Sequence, residues 1–452
     1  MMDFPSDEIL ELPSNISATY LSEGAANVVY TINVPPESST TGQDGVRVKG
    51  EAAAPSPWHG KLLRFRKDLP TTTPTRTAHL AFRASIAPLF PSEDLIDIRL
   101  VSLGSSHLID TLNAGLRAAE QVDGEERGKR RRRPKQRHGV YLADDPHALL
   151  ITDMSPPTKS TLIQFKPKWL APSPSAPPGS TRCRTCALHA RRALSAPSFC
   201  PLDLISSSPA DVRRAAALLL GLPLSAATAA STSTTTAVNG TTTATTPNGT
   251  KPTTGGAQNG SAAQNGTANG TTPTTTTTPT PTPTQKQLET LTRITTWALT
   301  SPLLRHLRTL QQTCDPRGVS HVLAQNTAEA LEGLQIAMTL RDVTVFLVVP
   351  DSDSDGEGAG REGTGAGTGG GELRARLGDL DVKSLGKIRE WEDVERGLGG
   401  GWYQGGGEGC WLGRQHQGGE VVKRVETRRE GREGREVKGE VKKGRMGGCV
   451  GQ

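Results

Sequence analysis

The segment QFKPKWL (164–170) carries two lysines, Lys166 and Lys168, on either side of a proline. Pro167 fixes its own φ and biases the preceding residue toward extended backbone. In an extended chain the two lysine side chains point to the same face, about 6–7 Å apart, a spacing that could hold neighbouring phosphate groups of one small ligand. The proline also removes a backbone donor, which suits an edge strand lining a cleft. Lysines that only protect an exposed sheet edge are the alternative.

A glycine-containing turn, SEGAAN (22–27), lies between two segments with strand character. The small residues Gly24 and Ala26 would let the backbone approach a bulky anion, and successive N–H groups could bind phosphate oxygens. The turn lacks the GK[ST] of a P-loop, and an ordinary β-turn is the alternative. In a following strand-like segment, Arg64 could hold phosphates through its guanidinium fork, or it could lie on a solvated strand face.

Three aspartates occur near predicted strand ends. Asp342 precedes the most hydrophobic strand-like segment, VTVFLVV (343–349), and a carboxylate at a strand end can act as a general base or a metal ligand. Asp379 and Asp381 lie two residues apart after an acidic, glycine-rich loop. Mg²⁺ prefers one or two carboxylates together with phosphate oxygens, so this pair is a candidate metal site.

Basic residues recur on one side of a predicted helix near the C-terminal end of the ordered chain. Lys383, Lys387 and Trp391 are spaced four residues apart and would share one helix face. This face could bind a ligand, or it could be the solvated side of an amphipathic helix.

A cysteine-containing segment offers a second kind of chemistry. Cys183, Cys186 and His189 are followed by Cys200, a set that could bind zinc. The spacing is not that of a standard zinc finger and the segment is rich in arginine, which favours reduced thiols in a local packing cluster.

The charge of the chain suggests an anionic partner without identifying it. The net charge is +6 and the isoelectric point is about 9.0. The densest basic run, GKRRRRPKQR (128–137), has three open interpretations: a nuclear-localisation patch, a nucleic-acid or polyphosphate contact, and a solvated loop. No aromatic stacking set or helix-turn-helix pattern accompanies it, so nucleic acid is not the expected partner.

The elements that must position these residues indicate an α+β fold. The chain has 452 residues, but 50 are glycine and 32 are proline, so we expect about 250–300 ordered residues. The patterns predict strands at 17–34 (two, around the glycine turn), 60–66, 149–156, 161–170 and 341–350. They predict helices within 85–121 and at 210–222, 287–312 and 327–340, and a strand end followed by a helix within 377–398.

We predict two structured units separated by low-complexity segments. The first unit is 15–157, with the glycine turn and the basic run, and the second combines 158–223 with 286–404 and carries the substrate and metal sites. Three segments have few large apolar side chains to offset the entropy of ordering. They are predicted to be disordered: a Thr/Asn/Gly/Pro insert at 224–285, the acidic Gly-rich loop at 351–372, and a basic tail at 405–452.

The sequence carries no signal for secretion or membrane insertion. The N-terminus has no apolar signal-peptide region, and no stretch approaches 18 apolar residues. Six cysteines in a chain of this length do not form a disulfide framework. We therefore expect the protein in the nucleus and/or cytoplasm, with no membrane span.

Taken in chain order, several motifs resemble the inositol-pentakisphosphate 2-kinase family. The similarity extends over about 15–223 and 287–403 and excludes the insert, the acidic loop and the tail. The motifs are EGAANVV (23–29), LLRFRK (62–67), QFKPKWL (164–170), RCRTC (182–186), CPLDL (200–204), MTLRDVTVFL (338–347) and DLDVKSLGKIREWEDVE (379–395).

The resemblance implies a bilobal kinase-like fold with a β-rich N-lobe and a larger α/β C-lobe. It implies transfer of the ATP γ-phosphate, with Mg²⁺, to the 2-hydroxyl of inositol pentakisphosphate. Carried over motif by motif, it makes Asp342 the base and Asp379 the Mg²⁺ ligand. It also implies two binding sets: Gly24, Ala26, Asn27 and Arg64 for the nucleotide, and Arg137, Lys166, Lys168, Arg182, Lys383 and Lys387 for the substrate phosphates.

A catalytically weak scaffold that binds inositol phosphates or RNA through the basic runs is the alternative function. Asp342, Asp379 and the lysine pair of QFKPKWL favour the enzyme. The expected partners are ATP and inositol pentakisphosphate, and the expected state is a monomer.

Overall fold

The computed structural model of the chain describes residues 9–35, 56–104, 107–121, 133–156, 160–194, 199–228, 282–351, 373–406 and 409–416. Most of the predicted insert, nearly all of the acidic loop, the tail beyond residue 416, and residues 128–132 of the basic run lie outside these ranges. No helix in the part of the chain that the structure describes is long and apolar enough to cross a membrane.

The N-terminal part of the chain forms a six-stranded sheet with the order β1-β5-β6-β4-β3-β2. Its neighbouring strands are antiparallel, except that β1 runs parallel to β5. The strands are β1 (Leu10–Glu11), β2 (Ser17–Glu23), β3 (Asn27–Asn33), β4 (Lys61–Arg66), β5 (Ile98–Ser102) and β6 (His147–Thr152).

Alternating apolar residues explain why β3 and β4 pair at the centre of this sheet. Val28 lies opposite Phe65, and Tyr30 lies opposite Leu63, and all four side chains are buried. The rings of Tyr30 and Phe65 meet edge to face with centroids 5.6 Å apart, a favoured aromatic geometry. The apolar face of α2 (Leu108–Gln121) joins the same hydrophobic cluster, so the predicted strands and helix share one core.

A second, three-stranded antiparallel sheet has the order β7-β8-β9. Its strands are β7 (Ser160–Phe165), β8 (Thr344–Pro350) and β9 (Arg374–Gly378). The central strand β8 buries Val345, Leu347 and Val349 on one face, as expected for alternating side chains in a strand. These residues belong to the largest hydrophobic cluster of the described chain.

Helices provide most of the remaining core. The α-helices of the described chain include α1 (Thr75–Ser85), α2 (Leu108–Gln121), α3 (Arg184–Arg191), α4 (Pro201–Leu204), α5 (Pro209–Leu219), α6 (Leu224–Thr228), α7 (Gln285–Thr300), α8 (Pro302–Cys314), α9 (Val319–Gln325), α10 (Ala328–Leu340) and α11 (Ile388–Gly399).

The helical pattern at 287–312 is divided into two helices, α7 and α8. The break lies at Ser301, whose side chain accepts a hydrogen bond from the backbone N–H of Leu304. Pro302 occupies the first turn of α8, where its missing N–H costs nothing. A serine cap followed by proline is a helix start signal, and here it begins α8.

The two sheets are joined through a shared core, and the α+β class is confirmed. Leu95, just before β5, forms a bridge with Leu377 of β9, and the Ile96 N–H donates to the Leu377 carbonyl at 3.0 Å. Ile98 and Leu149 of the six-stranded sheet lie in the same hydrophobic cluster as β8. These contacts bring the glycine turn and the C-terminal aspartates within reach of each other.

The predicted tail differs from the structure at its beginning. Residues 411–416 form a short helix, and Cys410, only 2% exposed, packs with Cys183 and Cys200. The prediction of disorder from residue 405 is therefore wrong for 409–416. The helix could not be predicted from the local glycine-rich composition, because its packing partners lie more than 200 residues away in sequence.

Shortening the predicted insert should stabilise the protein slightly. The described chain stops after α6 and resumes before a capping box, in which the Thr284 hydroxyl accepts from Gln287 N–H and the Gln287 side chain accepts from Thr284 N–H. Replacing 229–281 by a Gly/Ser linker about five-fold shorter should raise the free energy of unfolding by about 1 kcal/mol, because loop closure costs less entropy. Urea denaturation measures this change.

Removal of the helix cap that follows the insert provides a comparison for the shortened insert. Thr284→Ala in the full chain should lower the free energy of unfolding by about 1 kcal/mol through loss of the helix cap. A large loss of stability on replacing 229–281, with the cap intact, would mean that the insert packs against the fold.

Candidate active site

The two lysines of QFKPKWL lie in a turn after β7. The strand ends at Phe165, which pairs with Val345 of β8, and Pro167 has no N–H to extend the ladder. Lys168 then adopts a left-handed backbone conformation with φ of 57°. The prediction of an extended Lys-Pro-Lys segment within the strand is therefore wrong, although β7 does lie at an edge of its sheet.

A buried glutamine of α8 holds this turn. The Gln311 side-chain amide donates to the carbonyls of Lys168, at 2.9 Å, and Leu340, at 3.0 Å. Its oxygen accepts from the Leu170 N–H at 2.9 Å. Gln311 thus ties the turn to the end of α10, immediately before Asp342. No local sequence pattern marks this residue, so its role could not be predicted from the sequence.

Asp342 follows α10 and is surrounded by three ammonium groups. Its carboxylate lies 2.9 Å from Lys168 Nζ, 2.7 Å from Lys383 Nζ and 3.2 Å from Lys166 Nζ. Lys166 Nζ also donates to the Asp342 backbone carbonyl at 2.7 Å. The Asp342 side chain is 34% exposed, so solvent or a ligand can reach it. Three cations around one carboxylate leave a local excess of positive charge.

This arrangement keeps Asp342 ionised. Burial alone would raise its pKa, but hydrogen bonds and charge from Lys383 and Lys168 hold the pKa well below the usual range of an aspartate. These ion pairs stabilise the fold fully above the ordinary aspartate pKa. That contribution is lost as the pH falls through the lowered pKa.

Lys166 connects Asp342 to a second carboxylate. Its Nζ lies 2.6 Å from Asp379 Oδ2. Burial lowers the pKa of Lys166, but the hydrogen bond and charge of Asp379, together with Asp342, raise it above its ordinary value. Asp379, like Lys168, has a left-handed backbone, with φ of 56°. Such conformations cost energy for non-glycine residues and gather at functional sites.

A third carboxylate, Asp381, joins the C-terminal segment to the six-stranded sheet. Arg64 of β4 lies 2.6 Å from Asp381 Oδ1, and Asn27 of β3 donates to Asp381 Oδ2 at 3.2 Å. Burial raises the pKa of Asp381, but Arg64 and Asn27 hold it below the usual value. Both sheet residues were predicted to contact a nucleotide, and the structure brings them to a potential metal ligand. The sequence pointed to Asp379 and Asp381 as a candidate metal pair, but only Asp379 was predicted to be the Mg²⁺ ligand.

The glycine turn is held by buried hydrogen bonds behind it. Lys67 donates to the Gly24 carbonyl at 2.8 Å from Nζ and to the Ala26 carbonyl at 2.8 Å from its backbone N–H. A Cβ at Gly24 would meet no atom within 4 Å, so the outer face of the turn is open. The turn therefore presents an accessible backbone surface beside Asn27 and Arg64.

A buried ion network anchors this turn and changes the interpretation of the basic run. Lys67 Nζ lies 2.5 Å from Glu23 Oε2, and Arg133 Nε lies 2.8 Å from Glu23 Oε1, with all three side chains fully buried. Arg133 also pairs with Glu120. Arg133 is thus a structural residue and cannot belong to a solvent-facing basic patch.

A cavity of about 560 Å³ opens beside Asp342, within the size range of small-molecule sites. Its lining includes Asp342 and three lysines, Lys168, Lys383 and Lys387. Further lining residues are Arg184, Thr185, His189, Arg192, Arg341 and Trp391. A cation-rich cavity can bind a polyanion, and the ionised carboxylate beside it can accept a proton from that ligand.

The floor of this cavity is built around Trp169. The guanidinium carbons of Arg341 and Arg184 lie 3.7 and 4.4 Å from the centre of the indole ring, a favourable cation–π geometry. Asp315 pairs with Arg341 at 2.7 Å, and Glu395 pairs with Arg184. Because Arg184 and Arg341 are buried, the more exposed lysines are better suited to hold a ligand. These are Lys168, Lys383 and Lys387.

Two predicted substrate residues lie away from this cavity. Arg182 donates to the carbonyls of Trp402, Gln404 and Gly406, so its side chain fastens the segment after α11. Burial lowers the pKa of Lys67, and the nearby charge of Arg137 lowers it further, so Arg137 lies near the glycine turn. Neither residue is among those that line the cavity.

Comparison with known proteins gives a family match and one local match. Residues 20–397 match the family model described as inositol-pentakisphosphate 2-kinase. A protein of Yarrowia lipolytica (strain CLIB 122 / E 150) with the same name is 48% identical over 48 residues. That segment is 11% of this chain and 16% of the yeast protein, so the local match spans about a sixth of the relative.

Proposed function

The chain belongs to the inositol-pentakisphosphate 2-kinase family, and we propose that it transfers the γ-phosphoryl group of ATP to the 2-hydroxyl of inositol 1,3,4,5,6-pentakisphosphate. The product would be inositol hexakisphosphate. The observation that carries this proposal is the convergence of Lys166, Lys168 and Lys383 on Asp342 beside a cation-rich cavity.

The lysines would neutralise the substrate. Inositol pentakisphosphate and ATP are both highly anionic, so their repulsion opposes the meeting of the reacting atoms. Lys168, Lys383 and Lys387 line the cavity and would bind phosphates of the inositol ring. Lys166 lies between Asp342 and Asp379, where it would face the phosphoryl group in transfer. Arg137 and Arg182 remain proposed substrate contacts from the family resemblance alone.

Asp342 would act as the base. The 2-hydroxyl oxygen forms a bond to the γ-phosphorus, the bond from that phosphorus to the β–γ bridging oxygen breaks, and ADP leaves. The hydroxyl proton passes to the Asp342 carboxylate. In a ligand-bound state, Lys168 and Lys383 would turn toward phosphates and weaken their hold on Asp342, which makes the carboxylate a stronger base.

Asp379 and Asp381 fit a Mg²⁺ site by donor chemistry. Their carboxylates are 40% and 36% exposed, and two carboxylates that leave room for phosphate oxygens are what this cation prefers. Bound there, Mg²⁺ would neutralise charge on the nucleotide phosphates. Gly24, Ala26, Asn27 and Arg64 would contact the nucleotide from the six-stranded sheet.

The proposed architecture is a two-lobed kinase-like fold. The N-terminal lobe would be 15–157 and the C-terminal lobe 158–223 with 286–404, with the nucleotide between them. The contacts of Asn27 and Arg64 with Asp381 support this arrangement because they cross between the two parts. We further propose a monomer in the nucleus and/or cytoplasm.

A product assay tests the function. Folded, full-length protein is incubated with γ-labelled ATP, Mg²⁺ and inositol pentakisphosphate, and products are separated by anion-exchange chromatography. We expect labelled inositol hexakisphosphate that depends on every component. Binding of inositol pentakisphosphate without any product would favour the scaffold. Absence of both binding and product would reject the kinase and the inositol-phosphate scaffold.

A further inference from the structure

The side chain of Gln311 lies behind the active site and bonds only to main-chain groups. This residue of α8 is 2% exposed. Its amide nitrogen donates to the carbonyls of Lys168 and Leu340, and its amide oxygen accepts from the Leu170 N–H. Both donors and the acceptor oxygen of the amide are therefore used, and one side chain joins the turn after β7 to the end of α10.

The main chain of Gln311 contacts the segment that carries the base. Its carbonyl accepts from Arg341 Nη2 at 3.1 Å, and Arg341 immediately precedes Asp342. The same guanidinium lies 3.7 Å from the centre of the Trp169 ring, and Trp169 immediately follows Lys168. Gln311 is thus linked to the chain beside both members of the Lys168–Asp342 ion pair.

The backbone of Lys168 needs such support. Its φ of 57° is in the left-handed region, and a residue with a Cβ keeps this conformation only where surrounding contacts fix it. The Lys168 side chain is 41% exposed, so the turn must be held largely through its main chain. Gln311 supplies two of these main-chain contacts, at Lys168 and at Leu170.

We propose that Gln311 is a positioning residue that acts through Lys168. It holds the ammonium group of Lys168 at the cavity before a ligand arrives, so that binding does not bear the cost of ordering this lysine and its turn. Gln311 is not among the residues that line the active-site cavity, so it has no direct contact with the substrate. The inference rests on the proposed function, because it takes inositol pentakisphosphate as the ligand of Lys168.

A double-mutant cycle separates this role from a general effect on stability. Gln311→Met keeps the approximate volume of the side chain and removes its hydrogen bonds. The affinity for inositol pentakisphosphate, measured by calorimetry, should fall about 3- to 10-fold, because the lysine and its turn are then ordered only on binding. In a Lys168→Met background the same substitution should change the affinity by less than about twofold, since the group through which Gln311 acts is gone.

The matched control is the next residue of α8. Gln312 is exposed, and Gln312→Met makes the same change of residue type one position along the helix. It should leave the affinity unchanged. Equal losses of affinity for Gln311→Met with and without Lys168 would overturn the proposal, and so would an unchanged affinity in Gln311→Met alone.

Hydrogen exchange followed by mass spectrometry examines the turn without any ligand. Gln311→Met should speed exchange within residues 165–172, where the Leu170 N–H loses its acceptor, and Gln312→Met should not. If the unaltered protein binds no inositol pentakisphosphate, the proposed function fails, yet faster exchange in this segment would still support the hold of Gln311 on the turn. Unchanged exchange in a folded variant would overturn it.

A second variant, Gln311→Glu, keeps the test decisive if Gln311→Met fails to fold. Glutamate has nearly the same shape and can accept from the Leu170 N–H, but an ionised carboxylate cannot donate to carbonyls. The loss of affinity should be larger in the otherwise unaltered protein than in the Lys168→Met background, a comparison that removes the effect of the added charge. Equal losses in the two backgrounds would overturn the proposal.

Discussion

Asp342→Asn should lower kcat by about 10²- to 10⁴-fold, the usual contribution of a positioned general base. The amide keeps the shape of the side chain but cannot accept the proton of the attacking hydroxyl. Because Asp342 is held by three lysines, the substitution also frees these cations. Binding of inositol pentakisphosphate should therefore be retained or become tighter, since one negative charge facing the ligand is removed.

The two effects are measured separately for this variant. Single-turnover kinetics with saturating ATP and Mg²⁺ gives the rate of phosphoryl transfer, and calorimetry gives the affinity for inositol pentakisphosphate. Asp97→Asn is the matched control: this aspartate is also paired with a lysine, Lys61, at 2.7 Å, but it lies just before β5 and is not among the residues that line the cavity. It should leave both quantities unchanged.

Two outcomes would contradict the assignment. If Asp342→Asn turns over at the rate of the unaltered protein, the base is another group. If turnover and binding are lost together while the protein remains folded, Asp342 organises the lysines and does not act mainly as a base.

Local patterns predicted the elements that carry the site. Alternating apolar residues identified β3, β4 and β8, and the helical spacing of 327–340 identified α10, because these signals depend on near neighbours in sequence. Asp342 could be located at the start of β8 for the same reason. The family resemblance then supplied roles that residue spacing alone left open.

The geometry of the site depends on contacts that no local pattern encodes. The Lys-Pro-Lys segment was predicted to align its lysines through an extended strand, yet they converge through a left-handed turn at Lys168 held by Gln311. Gln311 lies 143 residues from Lys168 in sequence. The two lysines do converge, on the carboxylate of Asp342, but by a different backbone geometry from the one predicted.

Charge counted along the sequence does not show which cations are accessible to a ligand. Arg133 belongs to the densest basic run, but it is buried against Glu23, which lies 110 residues earlier. Arg182 lies in a family motif, but its guanidinium group binds backbone carbonyls after α11. Whether a cation is accessible to a ligand depends on the burial and the partners that folding gives it, and these come from the whole chain.

Lys383→Met should raise the KM for inositol pentakisphosphate by about 10- to 100-fold, because a hydrogen bond to a charged group contributes about 1.5–3 kcal/mol. Lys383 lines the cavity and lies 2.7 Å from Asp342. Methionine preserves most of the side-chain volume, so the packing of the segment should persist. The KM for ATP should change little, since the proposed nucleotide contacts come from the six-stranded sheet.

The same variant should shift the pH dependence of kcat/KM. Lys383 is one of the groups that lower the pKa of Asp342, so its removal raises that pKa. The base must be ionised to act, and the acidic limb of the profile should therefore move to higher pH. Titration of the substrate phosphates affects both proteins equally and cancels in the comparison.

Lys61→Met, which breaks the ion pair with Asp97 outside the site, should move neither the KM nor the limb. If the acidic limb of the kcat/KM profile is unchanged in Lys383→Met, Lys383 does not influence the pKa of the base. If the KM for inositol pentakisphosphate is unchanged, Lys383 does not bind the substrate.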